Sequence, residues 1–131
     1  MEKQKDILYI PVSFGELVDK ITILKIKLNE IKDEKKIKNI LKEYNLLTSL
    51  SEYTNIQKKI KTQYEELLKI NYRLWTLEEE IRRYEKDHSF GDNFVNAARD
   101  IYKSNDKRSQ IKKEINIVCN SELIEEKSHK E

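Results

Sequence analysis

The sequence predicts an all-α fold: an antiparallel helical bundle of three long helices and one shorter helix, with a short extended arm at the N-terminus. Three observations carry this expectation. Apolar residues recur three and four positions apart over long stretches, the spacing of one helix face. Two glycines and one proline are too few turn residues for a many-stranded β fold. Hydrophobic residues make up 37% and charged residues 38%, the balance of long amphipathic helices. A length of 131 residues suits one domain with its own core, here spanning 1–131 with an arm at 1–12 and a tail at 120–131.

The arm, Asp6 to Val12 (DILYIPV), mixes β-branched and aromatic residues, and Pro11 forces an extended approach to the next element. Its backbone groups need partners, which the segment Glu122 to Glu126 or a second subunit would supply; otherwise it lies as an irregular strap over the helices. A homodimer is one expectation from this arm.

Ser13-Phe14-Gly15-Glu16 matches a capping box and starts the first helix. Leu17, Ile21, Leu24, Leu28 and Ile31 form its apolar seam, with Glu16, Lys20 and Lys27 along the edge. The charged run Lys32 to Lys36 interrupts this pattern and reads as a turn. Ile37, Ile40, Leu41, Tyr44 and Leu47 resume helical spacing, which fades in LTSLSEYTN. A third helix is expected from about Asn55 to Lys86, the turn DHSFGD comes next, and a last helix covers about Asn93 to Val118.

The third and fourth helices carry polar residues where an apolar seam should be. Asn71, Glu78, Arg82 and Glu85 fall on the face set by Ile56, Ile60, Tyr64, Leu67, Leu74 and Ile81. Asn105, Arg108 and Lys112 share a stripe with Phe94, Ala98, Ile101 and Ile115. An unpaired buried charge costs several kcal/mol, so these groups must pair with one another, meet water or meet a ligand. Lys20, Arg82, Arg108 and Lys112 would hold a small anion, a carboxylate or phosphate. Glu78 and Glu85 would orient those cations, and Asn71 and Asn105 would add amide contacts.

The bland alternative is a closed network fixing helix register, as in a structural, coiled-coil-like interaction protein. A third reading exposes the stripe as a docking face. An enzyme using the same pocket would employ Glu78 or Glu85 as general acid/base, its pKa raised by burial. Trp75 and Tyr102, beside the stripes, read as packing, and Lys58, Lys59 and Lys61 as a solvated face.

Other chemistry has little support. His88 and His129 sit in a turn and the tail, and one cysteine offers no zinc spacing. Glu78 and Glu85 lack the Glu-x-x-His companion of helical carboxylate sites, so neither metal nor cofactor is expected. Gly15 and Gly91 are isolated, which leaves no phosphate loop. A net charge of +2 does not favour nucleic acid. Cys119 alone forms no intramolecular disulfide, and its simplest role is a small buried residue at a helix end. There is no signal-peptide core and no run near the ~20 apolar residues of a membrane span, so a cytoplasmic protein is expected.

Several blocks resemble a bacterial family known only as a domain of unknown function. They are Val12 to Leu17 with Asp19-Lys20, Thr22-Ile23-Leu24 and Ile26-Lys27; Asn71, Leu74-Trp75, Glu78, Ile81-Arg82 and Glu85; Ala98-Arg99, Tyr102, Asn105-Asp106, Arg108, Ile111-Lys112 and Ile115-Asn116; and Glu125 to Ser128. Residues 32 to 65 match no such block, and His129 stands where a tyrosine is expected. The resemblance implies a small cytoplasmic protein, some members being associated with surface-polysaccharide or glycosyltransferase functions, and it implies no activity. All-helical chorismate mutases are similar in architecture alone, long helices presenting Arg, Lys and Glu to an anionic substrate. The reading is a binding or assembly module rather than an enzyme.

Overall fold

The structure, a computed structural model, describes residues 5–128. It is all-helical: α1 (Phe14–Glu30), α2 (Glu34–Thr48), α3 (Ser51–Ile56), α4 (Lys61–Lys86) and α5 (Asp92–Val118), with no strand among the described residues. No helix among them is long and apolar enough to cross a membrane.

Ser13 caps α1, its Oγ accepting from the Glu16 backbone N–H at 3.1 Å. The reciprocal half of the capping box is absent, because the Glu16 carboxylate is taken by Lys112 of α5. The charged run does break the chain, but at residues 31–33. Ile31 is extended, and Asp33 starts α2 by accepting from the N–H groups of Lys35 and Lys36.

The single helix expected from Asn55 to Lys86 is two helices, α3 and α4, separated at residues 57–60. Tyr53, Ile56, Ile60 and Tyr64 keep the three-and-four spacing across the break, which hides it from periodicity. Both long helices end with a left-handed residue, His88 (φ 53°) and Asn120 (φ 54°). In each case the next N–H closes back five residues, Ser89 to the Tyr84 carbonyl and Ser121 to that of Asn116, at 2.8 Å.

The core gathers Leu17, Val18 and Ile21 of α1, Tyr53 and Ile56 of α3, Ile60, Leu67 of α4, and Ile111 and Ile115 of α5. Tyr44, Leu47 and Tyr64 pack against it. Burial pushes the Tyr64 hydroxyl up to about 12. Cys119 also packs there, half-buried, and burial raises its thiol.

Gly15, Glu16 and Asp19 meet Asn116, Lys112 and Arg108 in turn, so the two helices run in opposite senses. Gly15 makes the approach possible. Its N–H donates to Asn116 Oδ1 at 2.7 Å, and a Cβ there would overlap the Lys112 carbonyl. The buried line of α5 runs through Ala97, Ser104, Ile111 and Ile115, whereas Phe94, Ala98 and Ile101 of the expected stripe are half-buried. By contrast α2 has no fully buried residue, and the arm from 5 to 12 is exposed throughout.

Candidate functional site

Asp19 is the centre of the polar cluster. Its carboxylate is 2% exposed and faces α4 and α5 from the middle of α1. Arg108 grips it with two bonds, Nε to Oδ1 at 2.9 Å and a terminal nitrogen to Oδ2 at 2.5 Å, the fork geometry that suits guanidinium and carboxylate. Asn71 Nδ2 donates to the same Oδ1 at 3.0 Å and to Thr22 Oγ1 at 2.9 Å. The Thr22 hydroxyl in turn donates to the Asp19 carbonyl at 2.7 Å. Among the described residues no buried side-chain nitrogen or oxygen lacks a partner.

One edge of Arg108 is left over. Its other terminal nitrogen has only a long contact, 3.5 Å, to Asn105 Oδ1, and the side chain is 29% exposed. The hydrogen bond that Arg108 donates to Asp19 raises the Arg108 pKa, outweighing burial, so the guanidinium is fixed in charge as well as position.

Two clefts open on Arg108. The first, about 460 Å³, has a floor of Ile23, Ile26, Leu74 and Trp75 and a rim of Glu78, Glu79, Arg82 and Arg108. The second, about 420 Å³, is polar and includes Glu16, Asn105, Lys112, Glu125 and Lys127.

In the second cleft the cations are already matched. Lys112 Nζ donates to Glu16 at 2.9 Å and to Glu125 at 2.6 Å. Burial is the largest single influence on Lys112 and lowers its pKa, but the hydrogen bonds to Glu125 and Glu16 and the charges of Asp19 and Glu16 together leave it raised. The same bond holds Glu125 below its usual range. With Lys113–Glu126 and Lys127–Asp106, both 2.9 Å, this pair straps the segment after α5 back along the helix.

The structure therefore divides the residues named from the sequence. Asn71, Asn105, Arg108 and Lys112 come together around α1, and Glu78 and Arg82 stand on the rim of the first cleft. Glu78 and Arg82 pair with each other at 3.5 Å, with side chains 48% and 81% exposed, so they do not face inward. Lys20 points elsewhere, bonded to Glu43 of α2 at 3.1 Å. Glu85 is exposed and lines neither cleft, because it lies beyond the last turn of α4 that α1 covers. Both glutamates are exposed, not the buried carboxyls that the enzyme reading expects.

Asp19, Thr22 and Glu125 complete the cluster without having been assigned to it from the sequence. A carboxylate lying between the seam residues Leu17 and Ile21 was the available signal for Asp19. His129 lies outside the described residues.

Comparison with family models decides the membership. The chain belongs to a family of unknown function, DUF6165. The match covers residues 8–131, so the family includes most of the arm and everything after it, and not only the blocks that carry the resemblance. No curated protein and no solved structure matches the chain.

Proposed function

We propose that this family member is a cytoplasmic binding module, built as an antiparallel bundle, that takes a small anionic ligand in the cleft between α1, α4 and α5. The observation that carries this is the held-back Arg108. Asp19 grips one side of the guanidinium, and Asn71 and Thr22 hold Asp19, so Arg108 is fixed where it lines the cleft rather than free to fold away, its remaining edge making only the long contact to Asn105.

Arg82 stands on the same rim with only a solvent-exposed partner, Glu78, to leave. The floor of Ile23, Ile26, Leu74 and Trp75 asks for a ligand whose body has an apolar face. A carboxylate or phosphate on such a body would meet Arg108 and Arg82 together. Lys112 is not part of this site, since two carboxylates occupy it.

The purely structural reading is favoured by one observation: the inner half of the cluster is closed, with every buried polar atom among the described residues partnered. A thermal-shift screen of the full chain over small carboxylic acids, nucleotides and phosphorylated sugars separates the two. A ligand at a hundredfold its Kd should stabilise the folded state by about 2.7 kcal/mol. Arg82→Glu should weaken that ligand at least tenfold while leaving the unliganded melting temperature close to that of the parent. If no compound shifts the parent, or Arg82→Glu binds as well as the parent does, the network is structural only.

A further inference from the structure

The end of the molecule where α1 starts and α5 stops carries two apolar features, neither covered. One is the arm. Ile7, Leu8, Tyr9, Ile10 and Val12 are all exposed, Leu8 at 88% and Tyr9 at 82%. Alternate residues of an extended chain face opposite ways, so both faces of this arm are apolar. No backbone hydrogen bond is made by residues 7–12 among the described residues. The other feature is Ile117 and Val118 of the last turn of α5 together with Leu123 and Ile124 of the strapped tail, Ile117 being 72% exposed.

The roots of the two features are joined. The Phe14 N–H approaches Ser121 Oγ at 3.4 Å, and Gly15 is bonded to Asn116. Among the described residues the tail from Glu122 to Glu126 makes no backbone–backbone hydrogen bond, although the Leu123 carbonyl accepts from Ser121 Oγ at 2.8 Å, and ion pairs to Lys112 and Lys113 hold it in place.

We infer that this end is an interface between two copies of the chain, each laying its arm on the Ile117, Val118, Leu123 and Ile124 surface of the other and pairing its backbone with the partner's tail. Three considerations select a second copy. The arm leaves its own apolar end uncovered, so the folded single chain satisfies neither feature. Donor and acceptor lie at the same end, and a two-fold axis there covers both at once, as an isologous interface requires. The area is also sufficient. At roughly 150–250 Å² for Tyr9 and on the order of 100 Å² for each of Ile7, Leu8, Ile10 and Val12, the arm residues offer about 600 Å² per copy. Two arms with the surfaces they cover reach the roughly 1,200–2,000 Å² of stable specific dimers. Pro11 has no N–H to give, so the pairing runs through Ile7 to Ile10, an added strand at an edge. The exchange is independent of the ligand cleft.

The test is the mass of the full chain in solution, by sedimentation or light scattering over a range of concentrations. The parent should be a dimer that dissociates on dilution. Ile10→Asp in the arm and Ile117→Asp in the receiving surface should each raise the dissociation constant at least tenfold. An equimolar mixture of the two variants should recover dimer in part, because one intact arm then meets one intact surface. Circular dichroism melts identify folded variants, and Leu123→Asp replaces Ile117→Asp if the latter does not fold. A parent that stays monomeric at every concentration overturns the inference. So does a dimer sensitive to Ile10→Asp but not to the surface variants, which would mean arm pairing with arm, or a mixture that recovers nothing.

Discussion

Two carboxylate–guanidinium pairs, Asp19–Arg108 and Glu78–Arg82, stand near the same cleft and differ in nearly every physical respect. The first joins α1 to α5 with two bonds and a 2% exposed carboxylate, oriented further by Asn71. The second joins neighbouring turns of α4 by one contact at 3.5 Å between half-exposed and largely exposed groups. Desolvation makes the first pair indispensable once formed, since losing either partner strands a buried group. Water screens the second, which leaves Arg82 free to turn to a ligand. A polar stripe on a helix can thus combine a fixed interior and an adjustable rim within two turns.

The largest effect should come from the interior. Asp19→Ala leaves Arg108 without its counter-charge and Asn71 with only Thr22 as acceptor, and should destabilise the fold by about 3–5 kcal/mol in urea unfolding. The double variant Asp19→Leu, Arg108→Met removes both charges and should recover much of that loss. If the double variant is as unstable as the sum of its parts, the pair is not an isolated buried unit and the contrast with Glu78–Arg82 weakens.

Gly15→Ala acts on the same α1–α5 contact without touching a charge. Alanine would gain about 1 kcal/mol as a helix former. The new methyl meets the Lys112 carbonyl, a backbone atom that cannot swing away, so overpacking should win by about 1–3 kcal/mol. A neutral or stabilising result would show that α1 and α5 can slide apart freely.

The tail strap should matter less to global stability and more to pH. Lys112 holds Glu125 below its usual pKa, so its contribution is present above the unfolded value of about 4.3 and lost as pH falls through the lower folded one. Lys112 is raised, so its contribution is present below the unfolded value of about 10.4 and lost as pH rises through the higher folded one. The strap should therefore stay on across the neutral range and detach in strong acid. Glu125→Gln should expose the tail to protease at neutral pH while shifting global stability by less than about 1 kcal/mol. Equal protection in the parent and the variant would show that Lys113–Glu126 and Lys127–Asp106 suffice.

The helical class, the start of α1 at Ser13, the α4–α5 turn and the central places of Asn71, Arg108 and Lys112 were legible in the sequence because each leaves a periodic or capping mark. The α3–α4 break was not, since Tyr53, Ile56 and Ile60 keep their spacing through it. Helical phase alone put Glu78, Arg82 and Glu85 with Asn71. Which residues of one face are covered depends on where a neighbour ends, and α1 covers Asn71 and Leu74 more fully than the turns beyond. Lys20 went to Glu43 because α2 folds beside α1, a pairing no single-helix pattern contains. Asp19 was hidden among seam residues, where a charge reads as an exception until its partner on a distant helix is known.

The smallest effect is the most discriminating. Arg82→Gln keeps length and helix propensity while removing the charge, and an exposed i,i+4 pair of this kind is worth about 0.3–0.5 kcal/mol. Its unfolding curve should be nearly superimposable on that of the parent. Salt should erase what difference remains, whereas Asp19→Ala should stay unstable at any ionic strength because its defect is buried. A loss from Arg82→Gln comparable to that from Asp19→Ala would mean that Arg82 turns inward in solution. The rim would then belong to the closed network, and Arg108 would have no adjustable companion with which to hold an anion.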